Sequence, residues 1–294
     1  MKKKLTALTL AVAMAATMAG CSGSGSQAET EAAETTAAAE TEAADPAAED
    51  ESTEAASEEA ETEAAAGELK TAQEGKLVMV TNAEFPPYEY HEGDEIVGID
   101  AEIAAAIADK LGLELVIEDI AFDSIIPELV SGKADFAMAG MTVTDERKQS
   151  VDFSNTYAKA SQKVIVQEGS DITTPDDLTG KIVGVQLGTT GDLYVTDLEA
   201  EGTTVERFSK GFEAVQALSQ GKVDAVVIDE QPAQVFVSQT EGLVILDDSF
   251  TDEEYAAAVK KGNTALLNAI NDALAELDEA GELDAIVAKY ITAE

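Results

Sequence analysis

Ala139-Gly140-Met141-Thr142-Val143-Thr144-Asp145-Glu146-Arg147 is the stretch of this 294-residue chain whose residue types could most directly grip a small molecule. An apolar strand, Asp135–Met138, runs out into it, and a short helix is expected to open beyond it with Thr144 as N-cap. A strand end followed by a helix start gathers backbone N–H groups into one small space, which favours an anion. Arg147 lies one turn on, and its planar fork can hold a carboxylate by two parallel hydrogen bonds. The segment therefore reads as a socket for the carboxylate of a small molecule, with a capped helix and a surface arginine as the plainer alternative. The lone His91 sits among Glu92, Gly93 and Asp94 and reads as a solvated turn residue without metal-ligand spacing around it. No metal and no cofactor are expected.

The start of the chain points to a compartment. Lys2, Lys3 and Lys4 precede an apolar run from Leu5 to Met18, which is shorter than the ~20 residues of a spanning helix. Met18-Ala19-Gly20-Cys21 resembles a bacterial lipobox, although Met18 stands where leucine is usual. The resemblance implies a signal peptide over residues 1–20 and lipid on Cys21; an ordinary cleaved signal with a stray thiol is the alternative. Cys21 is the only cysteine, so no disulfide forms within the chain. Residues 21–68 read as a tether. Their low-complexity part, 27–68, holds 15 acidic and no basic residues, too little apolar surface to offset the entropy of ordering. With those acids and Lys2–Lys4 set aside, 44 acids and 15 bases remain in residues 69–294, a net charge of −29. Such a body repels phosphate backbones, so nucleic acid is excluded as a partner.

The elements that must carry the socket alternate between strand and helix. Strands are predicted over Leu77–Thr81, Glu114–Ile117, Asp135–Met138, Lys163–Gln167, Ile182–Val185, Val205–Phe208, Ala225–Ile228 and Val244–Leu246. Helices are predicted over Ile99–Leu111, Phe122–Ser131 and Phe212–Gln220, each followed by a glycine at its C-terminal end. Such alternation argues for parallel sheets covered by helices. The chain also echoes itself. Leu129-Val130-Ser131-Gly132-Lys133-Ala134-Asp135 matches Leu218-Ser219-Gln220-Gly221-Lys222-Val223-Asp224, and Gly75-Lys76-Leu77-Val78 matches Gly180-Lys181-Ile182-Val183. Two echoes in one order suggest two similar lobes, each with its own sheet.

Asn82-Ala83-Glu84-Phe85-Pro86-Pro87-Tyr88-Glu89-Tyr90, Val97-Gly98-Ile99-Asp100, Gly132-Lys133-Ala134-Asp135, Ala139–Arg147 and Val151-Asp152-Phe153-Ser154 follow one another along the chain. Together they resemble the polar amino-acid family of solute-binding proteins that serve ABC importers, across residues 75–291. The resemblance implies an α/β fold of the periplasmic-binding-protein type II, with two lobes of mixed, mainly parallel sheet joined by two hinge strands. Lobe 1 would comprise 69–158 plus 258–294 and lobe 2 159–257, with hinges near Tyr157–Gln162 and Glu254–Val259. C-terminal helices over Asn263–Glu279 and Leu283–Tyr290 would rejoin lobe 1.

By the same resemblance, Arg147 pairs with the α-carboxylate of a small polar amino acid. Ala139, Gly140, Met141 and Thr142 line that end, Gly140 and Thr142 through backbone groups and Thr142 also through its hydroxyl. Thr189 and Thr190 of the loop Gly188–Gly191 offer N–H groups from the other lobe; the loop lacks the Gly-Lys-Ser/Thr of a phosphate cradle. Asp229 matches the acidic partner of the α-ammonium, or else caps the helix that follows it. Phe85 stacks on the ligand side chain, or else packs in the core. Asn82 stands where relatives that bind cationic or amide side chains often carry an acid, and Glu84 could supply that charge or remain on a solvated rim. Gln186 and Leu187 flank the second-lobe loop. The implied partners are a polar amino acid, a membrane permease with its ATPase, and the membrane itself through Cys21, with a monomeric protein held at the extracytoplasmic face. Glutamine or another amide leads the expected ligands, then arginine or lysine, then cystine. An enzyme of the same fold, a prephenate or arogenate dehydratase drafting Glu84 or Glu230 as acid or base, is the rival reading.

Overall fold

The structure, a computed structural model of the chain, describes residues 69–291. The expected signal peptide, the lipidation of Cys21 and the tether over 21–68 lie outside the described residues. The chain opens with β1 (Lys76–Thr81) and a small antiparallel sheet of β2 (Glu84–Phe85), β3 (Glu89–Glu92) and β4 (Glu95–Val97). Next come α1 (Ile99–Leu111), β5 (Glu114–Asp119), α2 (Ile125–Ser131) and β6 (Phe136–Ala137). β7 (Val151–Gln167) leads to β8 (Ile182–Gln186), α3 (Thr190–Asp197), β9 (Thr204–Phe208), α4 (Gly211–Ser219), β10 (Ala225–Asp229) and α5 (Glu230–Ser238). β11 (Leu243–Lys260) runs back, and α6 (Thr264–Glu279) and α7 (Glu282–Tyr290) follow.

The architecture is the expected α/β fold of mixed, mainly parallel sheet joined through two long strands. Two separate sheets were expected, whereas one ladder of eight strands runs in the order β5-β1-β6-β11-β7-β10-β8-β9. Its outer thirds are parallel: β5 and β6 flank β1, and β8 lies between β10 and β9. The middle is the antiparallel pair β7 and β11, with 17 and 18 residues. At ~3.3 Å per residue, each spans roughly 55 Å and so runs through both halves of the sheet. Residues 163–167 and 244–246, predicted as short strands, are the far ends of these two crossing strands.

Parallel strands must be covered on both faces, and β1 shows how the sequence does it. Leu77 and Met79 point into one apolar cluster with Ile103, Ile107, Ile270 and Leu274 of α1 and α6. Val78 and Val80 point the other way, onto Ile125, Leu129 and Val151. β10 repeats the device, with Val226 and Ile228 in the first cluster and Ala225 and Val227 against Val183, Val185 and Val195. α6 and α7 return to α1, tied by Lys110 to Glu276 at 2.9 Å and Tyr290 to Glu102 at 2.6 Å.

The sequence echo has a structural cause. Asp135 exchanges bonds with Val78 at the edge of β1: its N–H donates to the Val78 carbonyl at 2.9 Å, and its carboxylate accepts the Val78 N–H at 2.7 Å. Asp224 does the same with Ile182 of β8, at 2.7 and 2.8 Å. Each aspartate fixes where a parallel neighbour begins, after a glycine (Gly132 or Gly221) has turned the chain in the left-handed region. The Asp135 carboxylate also accepts the Ala72 N–H at 2.6 Å. Asp135→Ala therefore strands two N–H groups and should lower the unfolding free energy by about 2 kcal/mol. Asp224→Ala, which strands one, should cost less; urea titrations of the two variants measure the difference.

Candidate functional site

Four loops leave the C-terminal ends of parallel strands and face one another. Asn82 follows β1, Ala139 and Gly140 follow β6, Gln186 ends β8, and Asp229 ends β10. Crevices at the carboxyl ends of parallel strands are where open α/β sheets bind ligands. Here they border a narrow cleft whose atom-free space, about 300 Å³, is partly open to solvent. Of the residues singled out from the sequence, Asn82, Phe85, Ala139, Gly140, Thr142, Arg147, Gln186, Thr189, Thr190 and Asp229 line it.

Two do not. Met141 is 1% exposed and packs with Val78, Ile125 and Leu129, because alternation turns its side chain into the core. Glu84 faces outward and pairs with Lys210. That ion pair joins the two halves at the rim, as does the buried bond from Gln186 Nε2 to Asn82 Oδ1 at 2.8 Å. Leu187 is 40% exposed. His91 also departs from expectation, since it lies on β3 and its Nε2 is 2.9 Å from Asp119 Oδ2.

The expected short helix is a 3-10 helix, Arg147–Gln149, and Arg147 opens it rather than lying one turn in. Thr144 does serve that turn, its hydroxyl accepting the Arg147 N–H at 3.1 Å. The guanidinium is buried, with its carbon 5.4 Å from the centre of the Phe122 ring. It donates to the Thr142 carbonyl at 2.7 Å and, across the cavity, to the Gly188 carbonyl at 3.1 Å. Two of its five N–H groups are thus used, and the rest remain for a ligand.

The donors expected around it are partly spent. The Gly140 N–H goes to Asp100 at 2.9 Å, and the Thr142 hydroxyl goes to Glu253 at 2.8 Å. The Gly188 N–H goes to Asp192 at 3.0 Å, and the Thr190 hydroxyl to Glu253 at 3.1 Å. The Thr142 and Thr190 N–H groups have no partner among the described residues, Thr190 being the first residue of α3. A carboxylate at Arg147 would find these two N–H groups, the second at the positive end of a helix. Gly140 has a separate duty: at φ 51 it lies so near Phe85 that a Cβ would stand 2.7 Å from Cε1.

Asp229 precedes α5 but makes no side-chain cap; it accepts the hydroxyl of Tyr255 instead. Burial first, and then the nearby Glu253 charge, push it up to about 7. Sequence reasoning missed Glu89, Phe122, Glu253 and Tyr255. Glu89 lines the cavity and is fully buried; it finds no N–H or hydroxyl donor among the described residues and instead shares a hydrogen bond with the Asp100 carboxyl. Burial and the neighbouring Asp100 hold its pKa well above the usual range, and burial lifts Asp100 to about 6. No local pattern marks Glu89: Tyr88 before it is buried as well, and β3 shows no inward–outward alternation.

The profile of the bacterial extracellular solute-binding proteins, family 3, matches residues 77–293. The chain belongs to this family. It is 36% identical over 222 residues to the arginine-binding extracellular protein ArtP of Bacillus subtilis, across 74% of this chain and 87% of ArtP. It is 31% identical over 229 residues to the L-cystine-binding protein TcyJ of Escherichia coli, across 76% of this chain and 86% of TcyJ. Its fold is similar to that of an ancestral arginine-binding protein solved with arginine, with a TM-score of 0.71 and 43% identity across 74% of this chain and 98% of that one. Family 3 consists of solute-binding proteins and not of enzymes. The acids drafted for a dehydratase also stand apart from the cavity, Glu84 with Lys210 and Glu230 with Ser161 at 2.9 Å.

The buried acids give the empty protein a pH signature. Native Asp229 and Asp100 keep protons up to about 7 and 6, which an unfolded chain gives up near pH 4. Their contribution to stability is full below pH 4 and is lost as pH rises to about 7. Thermal melts from pH 4.5 to 7.5 should show this fall, and Asp229→Asn should flatten it.

Proposed function

We propose that the protein captures an L-amino acid with a cationic side chain and passes it to an ABC permease. The observation that carries this reading is the charge set on the cavity wall: one cation, Arg147, and two carboxylates, Asp229 and Glu89. Arg147, with the Thr142 and Thr190 N–H groups, would take the α-carboxylate. Asp229 would take the α-ammonium. Glu89, which has no N–H or hydroxyl donor among the described residues and only the Asp100 carboxyl beside it, would take a positive side-chain end. On the cavity wall a neutral zwitterion would leave Glu89 to keep its proton, whereas a cationic amino acid supplies an opposite charge for both Asp229 and Glu89. This puts arginine or lysine ahead of the amide that Asn82 suggested. The arginine-binding names of ArtP and of the ancestral protein agree, while TcyJ is named for cystine.

Capture would proceed by closure of lobe 1 (69–158 plus 258–294) and lobe 2 (159–257) about β7 and β11, driven by the ligand's greater affinity for the closed form. Lipid on Cys21 and the acidic tether over 21–68 would hold a monomer at the extracytoplasmic face of the membrane, beside its permease.

Calorimetry of the purified chain against the twenty amino acids should rank arginine or lysine first. Glu89→Gln should weaken that ligand about 30-fold, the equivalent of ~2 kcal/mol, and weaken glutamine far less. Arg147→Ala should abolish binding. Equal affinity for glutamine and arginine would remove the cationic assignment, and no binding of any amino acid would remove the whole reading. In a producing bacterium, Cys21→Ala should move the protein from the membrane fraction to the soluble one.

A further inference from the structure

Glu253 stands on the crossing strand β11, 6% exposed, and takes no part in the reading above. One of its oxygens, Oε2, accepts three bonds. They come from the Thr142 hydroxyl at 2.8 Å, the Gln162 amide at 3.0 Å and the Thr190 hydroxyl at 3.1 Å. Thr142 belongs to the segment after β6, Thr190 to the start of α3, and Gln162 to the other crossing strand, β7. A single atom thus joins both half-sites to both strands that run between them. The Gln162 amide also donates to the Thr190 hydroxyl at 3.2 Å, which closes the network. Thr142 borders both the cavity and an open groove behind it, and Glu253 lines that groove. The network is therefore the partition between the ligand space and outside water.

We propose that Glu253 is a positioning residue for ligand capture, a protein carboxylate that fixes Thr142 and Thr190 together in the closed arrangement and seals the back of the cavity. It acts through the two threonines. Each hydroxyl has one proton, and both protons go to Glu253. The ligand carboxylate is then left to Arg147 and to the backbone N–H groups of the same two residues, which the hydroxyl bonds hold in place. Opening the halves must break at least one of these buried charge-assisted bonds, so Glu253 opposes release more than it opposes arrival. The inference rests on the proposed capture of an amino acid in this cavity.

Its electrostatic reach supplies a readout that plain loss of packing would not give. Asp229 is faced by Glu253 and Tyr255 of β11, Gln162 of β7, Tyr194 of α3, Tyr88 and Glu89 at the start of β3, and Arg147 across the cavity; Glu253 is the leading charge that raises it. Glu253→Gln keeps the shape and removes the charge. With the preferred amino acid, stopped-flow binding should show dissociation at least tenfold faster and association within threefold of the parent. The pH below which affinity falls should move downward, because Asp229 then ionises more readily. Thr142→Val added to Glu253→Gln should cost little more than Glu253→Gln alone. Unchanged dissociation, an unmoved pH midpoint, or full additivity would overturn the proposal.

A second measurement needs no ligand. Lys133→Cys and Lys222→Cys, in a chain carrying Cys21→Ser, place one dye on each half for single-molecule energy transfer. The parent should show a closed fraction that Glu253→Gln diminishes, and identical distributions would overturn the inference. Failure of every amino acid to bind would instead strike the capture reading and leave this comparison to decide.

Discussion

A buried guanidinium imposes the strictest condition on this molecule. Arg147 keeps its charge at 7% exposure because carbonyls from both halves accept its protons, the Phe122 ring covers one face, and carboxylates stand nearby. Remove those partners and the desolvation cost of the ion would be several kcal/mol. The acids have the opposite difficulty. Glu89, Asp100 and Asp229 are buried close to one another, and burial raises all three above the usual carboxylate range. A charged ligand suits such a site because it replaces protons and water with fixed partners of opposite sign.

That condition can be met only if loops from distant parts of the chain reach the same place. β7 and β11 make this possible by running side by side through the whole ladder. They bring the ends of β1 and β6 to face the ends of β8 and β10. Register irregularities in β11 between Ile245 and Ser249, and again between Tyr255 and Ala258, show where the pair departs from regular pairing. Tyr255 and Glu253 lie within the crossing itself and contact the cavity's residues from behind. The strands that join the halves therefore also furnish part of the electrostatics of the site.

Much of this was legible in the residues. α1 spans the predicted Ile99–Leu111, since glycines mark both of its ends and apolar positions recur at helical spacing. The Gly-Lys-x-Asp echo was legible because the same hydrogen-bonding duty falls on Asp135 and Asp224. Arg147, Asp229 and the Asn82–Phe85 stretch were legible through their motifs. Less visible were residues whose meaning depends on burial. In a chain with 59 acids, nothing local distinguishes Glu89 or Glu253 from the many solvated ones. Glu84, the acid nearest the motif's usual charge, turned out to be occupied by Lys210 from the other half.

The sequence by itself determined the α/β alternation, the internal echo, the family and the placing of Arg147 beside the segment that ends β6, because periodicity, capping and short motifs are local properties. Tertiary structure alone decided that β7 and β11 fuse two sheets into one ladder and that the Gly140 N–H and the Thr142 hydroxyl serve protein carboxylates. It also decided that Glu89 is buried against Asp100 on the cavity wall rather than solvated. Each of these turns on which groups meet across dozens of residues of intervening chain. A hydrogen bond or a desolvated charge exists only once the fold has brought its two sides together.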